Sequence, residues 1–242
     1  MGIKRVLITA GPTWVAIDKV RVISNIASGE TGILLAEGLA RKGAKVTLIL
    51  GPGENMSFPA PAFAGVTGES MYLDSRFRGN DKNIIQNSRV KIIRFRFFKE
   101  LREAVKKELK AYRYDFIIHS AAVSDFRPVS QTRGKISSDK PRVLRLEPLP
   151  KIIEDIRRLA PSARLVMFKL DAGISDKKLI AIAREALIKN NADLVVANRL
   201  EPRYKAYILD GKRIYSRAGS KQEMARNLIA CLPVSQAALE KK

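Results

Sequence analysis

Short apolar runs alternate along this chain with longer stretches in which apolar residues recur every three or four positions. The short β-branched runs predict buried strands, and the periodic stretches predict amphipathic helices. Strands are predicted at residues 4–9, 45–50, 89–97, 115–119, 164–170 and 193–197. Helices are predicted at residues 32–42, 98–111, 150–159, 175–190 and 220–231. This alternation predicts an α/β fold with a Rossmann-like, mostly parallel sheet and helices on both faces.

Three stretches depart from the alternation. Residues 204–209 and 213–215 flank Asp210-Gly211-Lys212, which predicts a C-terminal β-hairpin. Residues 142–147 alternate apolar residues with arginines, as an exposed strand does. Residues 64–88 show little periodicity and are expected to be a disordered surface insertion in a single domain spanning 1–242.

The segment from Arg21 to Gly32 lies between a predicted strand and a predicted helix and is rich in polar residues and glycine. Ser28 is predicted to be the N-cap of the helix, and Gly29 and Gly32 allow a ligand or the sheet to approach the backbone. Free N–H groups and the helix dipole at such a turn favour an anion. The segment therefore predicts a phosphate site, with an ordinary capped βα turn as the alternative.

The dinucleotide-binding fingerprint is missing from the expected position. The first strand is followed by Ala10-Gly11-Pro12-Thr13 instead of Gly-x-Gly-x-x-Gly. The second strand ends in Gly51-Pro52-Gly53, with no acid to hold a ribose before Glu54. An NAD-dependent dehydrogenase is therefore disfavoured.

Composition narrows the functional class further. The 242 residues carry a formal charge of +21, which suggests polyanionic partners such as nucleotides or nucleic acid. The basic residues form no continuous arm, and aromatic residues make up only 7%, so specific nucleic-acid binding is the weaker expectation. One cysteine and one histidine exclude an internal disulfide and a Cys- or His-rich metal cluster. No apolar run suggests a membrane helix or a signal peptide, so a cytoplasmic setting is expected.

Four ordered segments carry a specific resemblance. They are Ile8-Thr9-Ala10-Gly11-Pro12-Thr13, Val20-Arg21-Val22-Ile23-Ser24-Asn25 with Ser28-Gly29, Ala121-Ala122-Val123-Ser124-Asp125-Phe126-Arg127-Pro128, and Gly134-Lys135-Ile136. Together they resemble the phosphopantothenate–cysteine ligase family, whose activity usually forms the carboxyl half of a bifunctional flavoprotein of coenzyme A synthesis. The resemblance implies a single nucleotide-binding ligase domain. It also implies that CTP, more than ATP, activates the carboxylate of 4′-phosphopantothenate before the amine of cysteine displaces CMP.

The resemblance also implies roles for individual residues. Catalytic roles fall to Asn25, Lys135 and Arg21, and contacts with the pantothenate substrate to Arg21, Asn25 and Ala122. The implied nucleotide contacts are Ser28, Gly29, Asp125, Lys135, Leu149, Pro150, Lys151, Ile152 and Phe168. Asp125 is also the candidate ligand for Mg²⁺. Local alternatives remain open from the residues themselves: a turn asparagine at position 25, a surface arginine at 21, a helix cap at 125 and core packing at 168.

Further expectations concern partners. The resemblance implies a homodimer in which the flap around Lys135 completes the neighbour's site. No flavin is expected on this chain, and the decarboxylase is expected on a separate chain. A strand-end histidine satisfied by backbone is expected at His119, which is left out of the catalytic set.

Several positions depart from the family pattern. Ala27 and Glu30 stand where serine and lysine are usual, and Met167 stands where glycine is common. Two triphosphate-binding lysines are replaced by Ala186 and Asn190, with Lys177, Lys178 or Arg184 as possible substitutes. The missing lysines favour one alternative, a divergent nucleotide-binding member that has lost the ligation or changed its substrate. The charge of +21 leaves a second alternative, a basic nucleic-acid-binding protein on an α/β scaffold.

Overall fold

A computed structural model of the chain describes residues 5–53, 89–130 and 134–232. Its centre is an eight-stranded sheet, in which six neighbouring strands run parallel and the last two strands of the chain add an antiparallel edge. The predicted α/β class, the mostly parallel sheet and the C-terminal hairpin are confirmed. The predicted insertion at 64–88 lies outside the described residues.

The strands of the central sheet largely follow the apolar runs. They are β1 (Arg5–Ala10), β4 (Lys45–Leu50), β5 (Val90–Arg94), β6 (Phe116–His119), β9 (Arg164–Leu170), β10 (Leu194–Arg199), β11 (Lys205–Leu209) and β12 (Ile214–Ala218). Their order across the sheet is β12-β11-β10-β9-β6-β1-β4-β5, and β11 and β12 are the antiparallel pair. Two small ribbons that the sequence pattern did not predict stand apart from it. The first pairs β2 (Trp14–Ala16) with β3 (Val22–Ser24), and the second pairs β7 (Phe126–Pro128) with β8 (Leu146–Pro148). The strand expected over 142–147 is wrong in extent, because pairing begins only at Leu146.

Helices cover both faces of the sheet, as predicted. On one face, α2 (Phe98–Ala111), α3 (Ile152–Leu159) and α4 (Asp176–Lys189) bury their apolar stripes against one core cluster. On the other face, α1 (Glu30–Arg41) and α5 (Lys221–Cys231) pack against a second cluster. Ser175 and Ser220 cap α4 and α5 by accepting the N–H groups of Lys178 and Glu223. Among the described residues, no helix combines the length and the apolar character needed to cross a bilayer.

The start of α1 is set by close backbone contact rather than by the predicted serine cap. Gly29 is the N-cap, with a left-handed φ of 78°, while Ser28 Oγ only accepts a long 3.4 Å bond from the N–H of Glu30. A Cβ atom on Gly29 would lie 2.9 Å from Leu50 Cδ1. The prediction of Ser28 as N-cap is therefore wrong, because the left-handed turn that brings the helix onto the sheet requires glycine there.

Gly32 is expected to be one of the least replaceable residues of α1. Its Cβ would lie 2.2 Å from Ala10 Cβ, so Gly32→Ala should lower the free energy of unfolding by about 2–3 kcal/mol despite the better helix propensity of alanine. Urea unfolding measures this directly. Gly211→Ala is the matched control, since a Cβ there meets nothing within 4 Å. Equal stability of the two variants would contradict the close packing of α1 on β1.

Candidate active site

Three loops meet at the carboxyl end of the parallel strands, where ligands bind in open α/β sheets. They follow β1, β3 and β6. Backbone bonds join the first and third: the N–H of Ala122 donates to Gly11 O at 2.9 Å, and the N–H of Thr13 donates to Ala122 O at 3.3 Å. The side chains of Thr13 and Ser124, both buried, reinforce this contact with a 3.0 Å hydrogen bond. The β1 and β6 loops therefore form one rigid floor.

Asn25 connects the loop before α1 to this floor. Its Nδ2 donates to both Ala122 O and Val123 O at 3.1 Å. The side chain is solvent-exposed, and its amide nitrogen is directed at backbone 97 and 98 residues away. The structure thus brings Asn25 and Ala122, two of the predicted substrate residues, into direct contact at the mouth of the α1 turn.

Asp18 joins the β2–β3 ribbon to the segment 134–139, which is called the flap below. Its side chain is fully buried, and its Oδ1 accepts the N–H groups of Val20 and Arg21 at 2.8 Å. Its Oδ2 accepts the N–H of Ile136 and Arg21 Nη1, both at 3.0 Å. The Ile136 N–H, the neighbouring amides and the Arg21 charge hold the pKa of Asp18 below its ordinary value of 3.8, against the opposing effect of burial.

Arg21 takes part in the same anchor. Besides Asp18, its Nη1 donates to Ile136 O at 3.0 Å, so this nitrogen is engaged within the chain. About 40% of the side chain remains exposed. Lys135, the predicted flap lysine, is exposed and stands next to the anchored Ile136. The structure therefore places Arg21 and Lys135 together at the junction of the ribbon and the flap.

The sequence prediction missed Asp18, although a local signal was present. An aspartate that accepts the N–H groups two and three residues later is typical of an Asx turn, and Asp18-Lys19-Val20-Arg21 fits that pattern. Its bond to Ile136 spans 118 residues and left no comparable signal in the sequence.

Asp125 lies at the end of the β6 loop and is exposed. Its Oδ1 accepts a short hydrogen bond from Lys151 Nζ, and its backbone carbonyl accepts the N–H of Leu149 at 2.8 Å. The structure therefore brings Asp125 together with the predicted segment 149–152. Within that segment Leu149 and Ile152 are buried in the core, whereas Pro150 and Lys151 are exposed.

Phe168 is half-buried on β9 and packs against the core cluster of α1 and α5. Leu149 and Ile152 belong to the cluster on the opposite face of the sheet. The structure thus places the predicted nucleotide-binding side chains on both faces of the sheet rather than in one apolar pocket.

The negative charge that Glu30 adds near the α1 turn is compensated. Its carboxylate accepts Lys221 Nζ at 2.7 Å and Gln222 Nε2 at 3.2 Å, both from the first turn of α5. Two helix N-termini thus face one carboxylate, an arrangement that helix dipoles stabilise. The charge of Glu30 is therefore directed toward α5.

His119 ends β6 beside Thr9, which lies opposite it in register on β1. A 2.7 Å hydrogen bond joins His119 Nδ1 and Thr9 Oγ1, so the partner is a side chain and not the expected backbone. Burial lowers the pKa of His119 to about 4. The imidazole is therefore neutral at neutral pH and serves to hold the β1 and β6 ends together.

This burial predicts a pH-dependent stability. Because the unfolded His119 binds a proton below about pH 6.5 and the folded one only near pH 4, stability should be complete above 6.5 and fall by up to about 3 kcal/mol toward pH 4. His119→Gln should flatten this part of the curve. His119 is the single histidine of the chain, so unfolding midpoints between pH 7 and 4.5 isolate its contribution. Parallel curves for both proteins would refute the burial effect.

Comparisons with known proteins agree on one relationship. The family described as DNA/pantothenate metabolism flavoprotein C-terminal domain matches residues 1–72 and 78–233. The chain is 37% identical over 198 residues to the coenzyme A biosynthesis bifunctional protein CoaBC of Thermococcus kodakarensis, covering 82% of this chain and 42% of that protein. The CoaBC protein of Methanocaldococcus jannaschii is 32% identical over 93% of this chain and 49% of its own length. The chain thus spans less than half the length of these relatives.

A solved structure shows the same fold. The DNA/pantothenate metabolism flavoprotein from Streptococcus pneumoniae is 27% identical, with a TM-score of 0.73 over 95% of this chain and 97% of that one.

Proposed function

Because the chain belongs to the DNA/pantothenate metabolism flavoprotein C-terminal domain family, we propose that it is a phosphopantothenate–cysteine ligase of coenzyme A biosynthesis. The observation that carries the proposal is the contact of Asn25 with the Ala122–Val123 backbone beside the glycine-opened start of α1. This arrangement puts an amide group and a helix N-terminus at one place, as a reaction between a carboxylate and a nucleotide requires.

The proposed reaction has two steps. A carboxylate oxygen of 4′-phosphopantothenate attacks the α-phosphorus of CTP, and pyrophosphate leaves. The amine of cysteine then attacks the acyl carbon, CMP leaves, and an amide forms with loss of one proton from nitrogen. The first step moves negative charge among phosphates, and the second develops an oxyanion on the acyl oxygen.

Asn25 is suited to the second step. In the free protein its Nδ2 holds two carbonyls, and we propose that one of these bonds is exchanged for the acyl oxygen when the acyl cytidylate is present. Arg21 and Lys135 are suited to the substrate phosphate and carboxylate, because both lie where the flap meets the β2–β3 ribbon. The amides of Ser28 and Gly29 would face phosphate oxygens at the α1 N-terminus.

The residues of the candidate site could supply one carboxylate ligand to a nucleotide-bound Mg²⁺. Among the described residues no group of three or more acidic, histidine or cysteine side chains could hold a metal ion by itself. Mg²⁺ in nucleotide sites needs only one or two carboxylates beside the phosphates, and Asp125 would supply one while Lys151 engages its Oδ1. When bound, the ion would neutralise phosphate charge.

We propose that the base and ribose lie against Asp125 and residues 149–152. Two observations support this position. The N–H of Leu149 donates to Asp125 O, which holds the segment beside the β6 loop, and Pro150 and Lys151 are exposed there. CTP as the nucleotide rests on the family resemblance. Decarboxylation of the product would be carried out by a phosphopantothenoylcysteine decarboxylase outside these 242 residues, and no flavin is assigned to them.

The first step can be tested without cysteine. Exchange of labelled pyrophosphate into CTP should require 4′-phosphopantothenate and Mg²⁺, and should be weaker with ATP. Two results would exclude the acyl-nucleotide route. One is exchange that occurs without 4′-phosphopantothenate, and the other is no exchange with CTP or ATP when 4′-phosphopantothenate is present.

A homodimer is the second part of the proposal. Large apolar side chains are exposed on the β2–β3 turn, the β3–α1 loop, the β7–β8 ribbon and residues 143–146, including Val20 at 58%, Ile26 at 97%, Phe126 at 51% and Val143 at 93%. The two ribbons contact each other, and an exposed apolar surface of this kind is typical of a protein interface. It borders the flap, so a partner seated on it would lie next to Lys135.

Sedimentation should therefore give a dimer at micromolar concentration. Val143→Asp should produce monomer, because it places a charge on the proposed interface. Ile188→Asp is the matched control, since Ile188 is 71% exposed on α4, away from this surface, and should leave the dimer intact. Wild-type protein that sediments only as monomer would contradict the proposal.

A further inference from the structure

A groove of about 530 Å³ runs along the outer side of α4, between that helix and the β11–β12 edge of the sheet. Its lining carries four cationic side chains and a single carboxylate. The cations are Lys177, Arg184, Lys205 and Arg217, and the carboxylate is Asp176. Ile180 and Ala181 form an apolar wall, and Tyr207 lies at the sheet side.

The carboxylate is already paired with two cations. Asp176 forms ion pairs with Lys205 and, at 3.2 Å, with Arg199, which holds the pKa of Asp176 below its usual range. Among the described residues, Lys177, Arg184 and Arg217 form no ion pair with any carboxylate. Three cations thus face one groove without an anionic partner.

The guanidinium of Arg184 is only partly satisfied. Its Nη2 donates to Lys212 O at 3.3 Å, which holds the side chain along the groove. Its Nε is buried and has no hydrogen-bond partner. Arg217 is held at the opposite wall, with its guanidinium 5.9 Å from the ring centre of Tyr207. The paired N–H donors of a guanidinium match the geometry of phosphate oxygens.

The groove is separate from the candidate active site. β11 lies three strands from β6, roughly 14 Å at the usual strand spacing. Lys177 and Arg184 lie on one face of α4, since they are seven residues apart. Ala186 lies two residues after Arg184, about 200° around the helix, so it does not share that face.

From this charge imbalance we propose that the groove is a second anion-binding site, for a small molecule that carries a phosphate group. Lys177, Arg184 and Arg217 bind the phosphate, and the wall of Ile180 and Ala181 contacts an apolar part of the same molecule. The site does not depend on the proposed ligase reaction, because none of its lining residues belongs to the loops at Asn25, Asp18 or Asp125.

Inorganic phosphate is the probe that tests this site. Calorimetric titration of the full chain at low salt should show saturable binding, weakened at least about fivefold in Arg184→Gln and in Arg217→Gln, because each removes a guanidinium donor. Lys189→Gln, on the exposed end of the same helix, should bind as wild type. Circular dichroism confirms that each variant is folded.

Three results would overturn the proposal. One is no saturable binding up to about 20 mM phosphate, a concentration at which even a weak site is occupied. The second is an equal loss in Lys189→Gln, which would indicate general surface charge. The third is binding that survives in both arginine variants and disappears in Lys135→Ala, which would place the phosphate at the candidate active site.

Discussion

Asn25→Asp is expected to slow amide formation at least about a hundredfold, because a carboxylate can neither donate to the acyl oxygen nor hold the carbonyls of Ala122 and Val123. Pyrophosphate exchange into CTP should fall by less than about tenfold, since the oxyanion on the acyl carbon develops only in the second step. Rapid-quench measurement of both steps separates the two effects.

Ser24→Ala is the control for Asn25. Its hydroxyl makes only long bonds, of 3.4 Å to Thr13 O and 3.3 Å to Asn25 O, so its loss should change either rate less than about twofold. If pyrophosphate exchange and amide formation fell equally in Asn25→Asp, Asn25 would act only by holding the loops of the site together. The proposed role at the acyl oxygen would then be wrong.

Asp18→Asn should impair both steps together. Asp18 Oδ2 accepts two donors, Ile136 N–H and Arg21 Nη1, and an amide there can offer an oxygen to only one pair of donors. In either orientation the amide nitrogen faces N–H donors, so either the bond to the flap or the turn that carries Arg21 is lost. Because closure of a flap affects every step that it covers, exchange and amide formation should both fall about tenfold to a hundredfold, with a raised KM for the nucleotide.

The flap offers its own control. Asp139→Asn changes an exposed carboxylate in the same segment and should leave both rates within about twofold of wild type. If Asp18→Asn also left both rates unchanged, the bonds to Ile136 would be irrelevant to catalysis.

Because the folded pKa of Asp18 is depressed, the contribution of Asp18 to folding stability is complete above the ordinary value of 3.8. It is lost only as the pH falls through the lower folded pKa.

The sequence predicted the helix and strand bounds best where the apolar residues recur most regularly. The bounds of α2 and β9 agree with the predicted 98–111 and 164–170, because each has a regular apolar pattern and a clear end. The ribbons β2–β3 and β7–β8 have strands of three residues, too short to show a period of two. Their pairing depends on contacts across the chain, which a local pattern does not record.

The candidate site shows the same division. The family motifs located Asn25, Arg21, Ala122 and Asp125, and the structure places the first three of these around the β1–β6 floor and the flap. The sequence could not predict which partners these side chains contact. Arg21 binds Ile136 and Asp18, and Lys151 binds Asp125 through its side chain, and neither contact could be derived from the sequence.

The departures at Ala186 and Asn190 also gain a local explanation. Asn190 caps α4, and its Nδ2 donates to Ala186 O at 2.7 Å, so both residues contribute to the end of that helix. Of the proposed substitutes, Lys177 and Arg184 line the groove beside α4.

The most direct test of the central proposal is product formation with the pure chain. It should be incubated with 4′-phosphopantothenate, Mg²⁺ and CTP or ATP in parallel, with and without cysteine, and the products followed by mass spectrometry and pyrophosphate release. The proposal predicts 4′-phosphopantothenoylcysteine only when cysteine and a nucleotide, preferably CTP, are both present, with one pyrophosphate released per amide. Folded protein that forms no amide and releases no pyrophosphate with either nucleotide would contradict it.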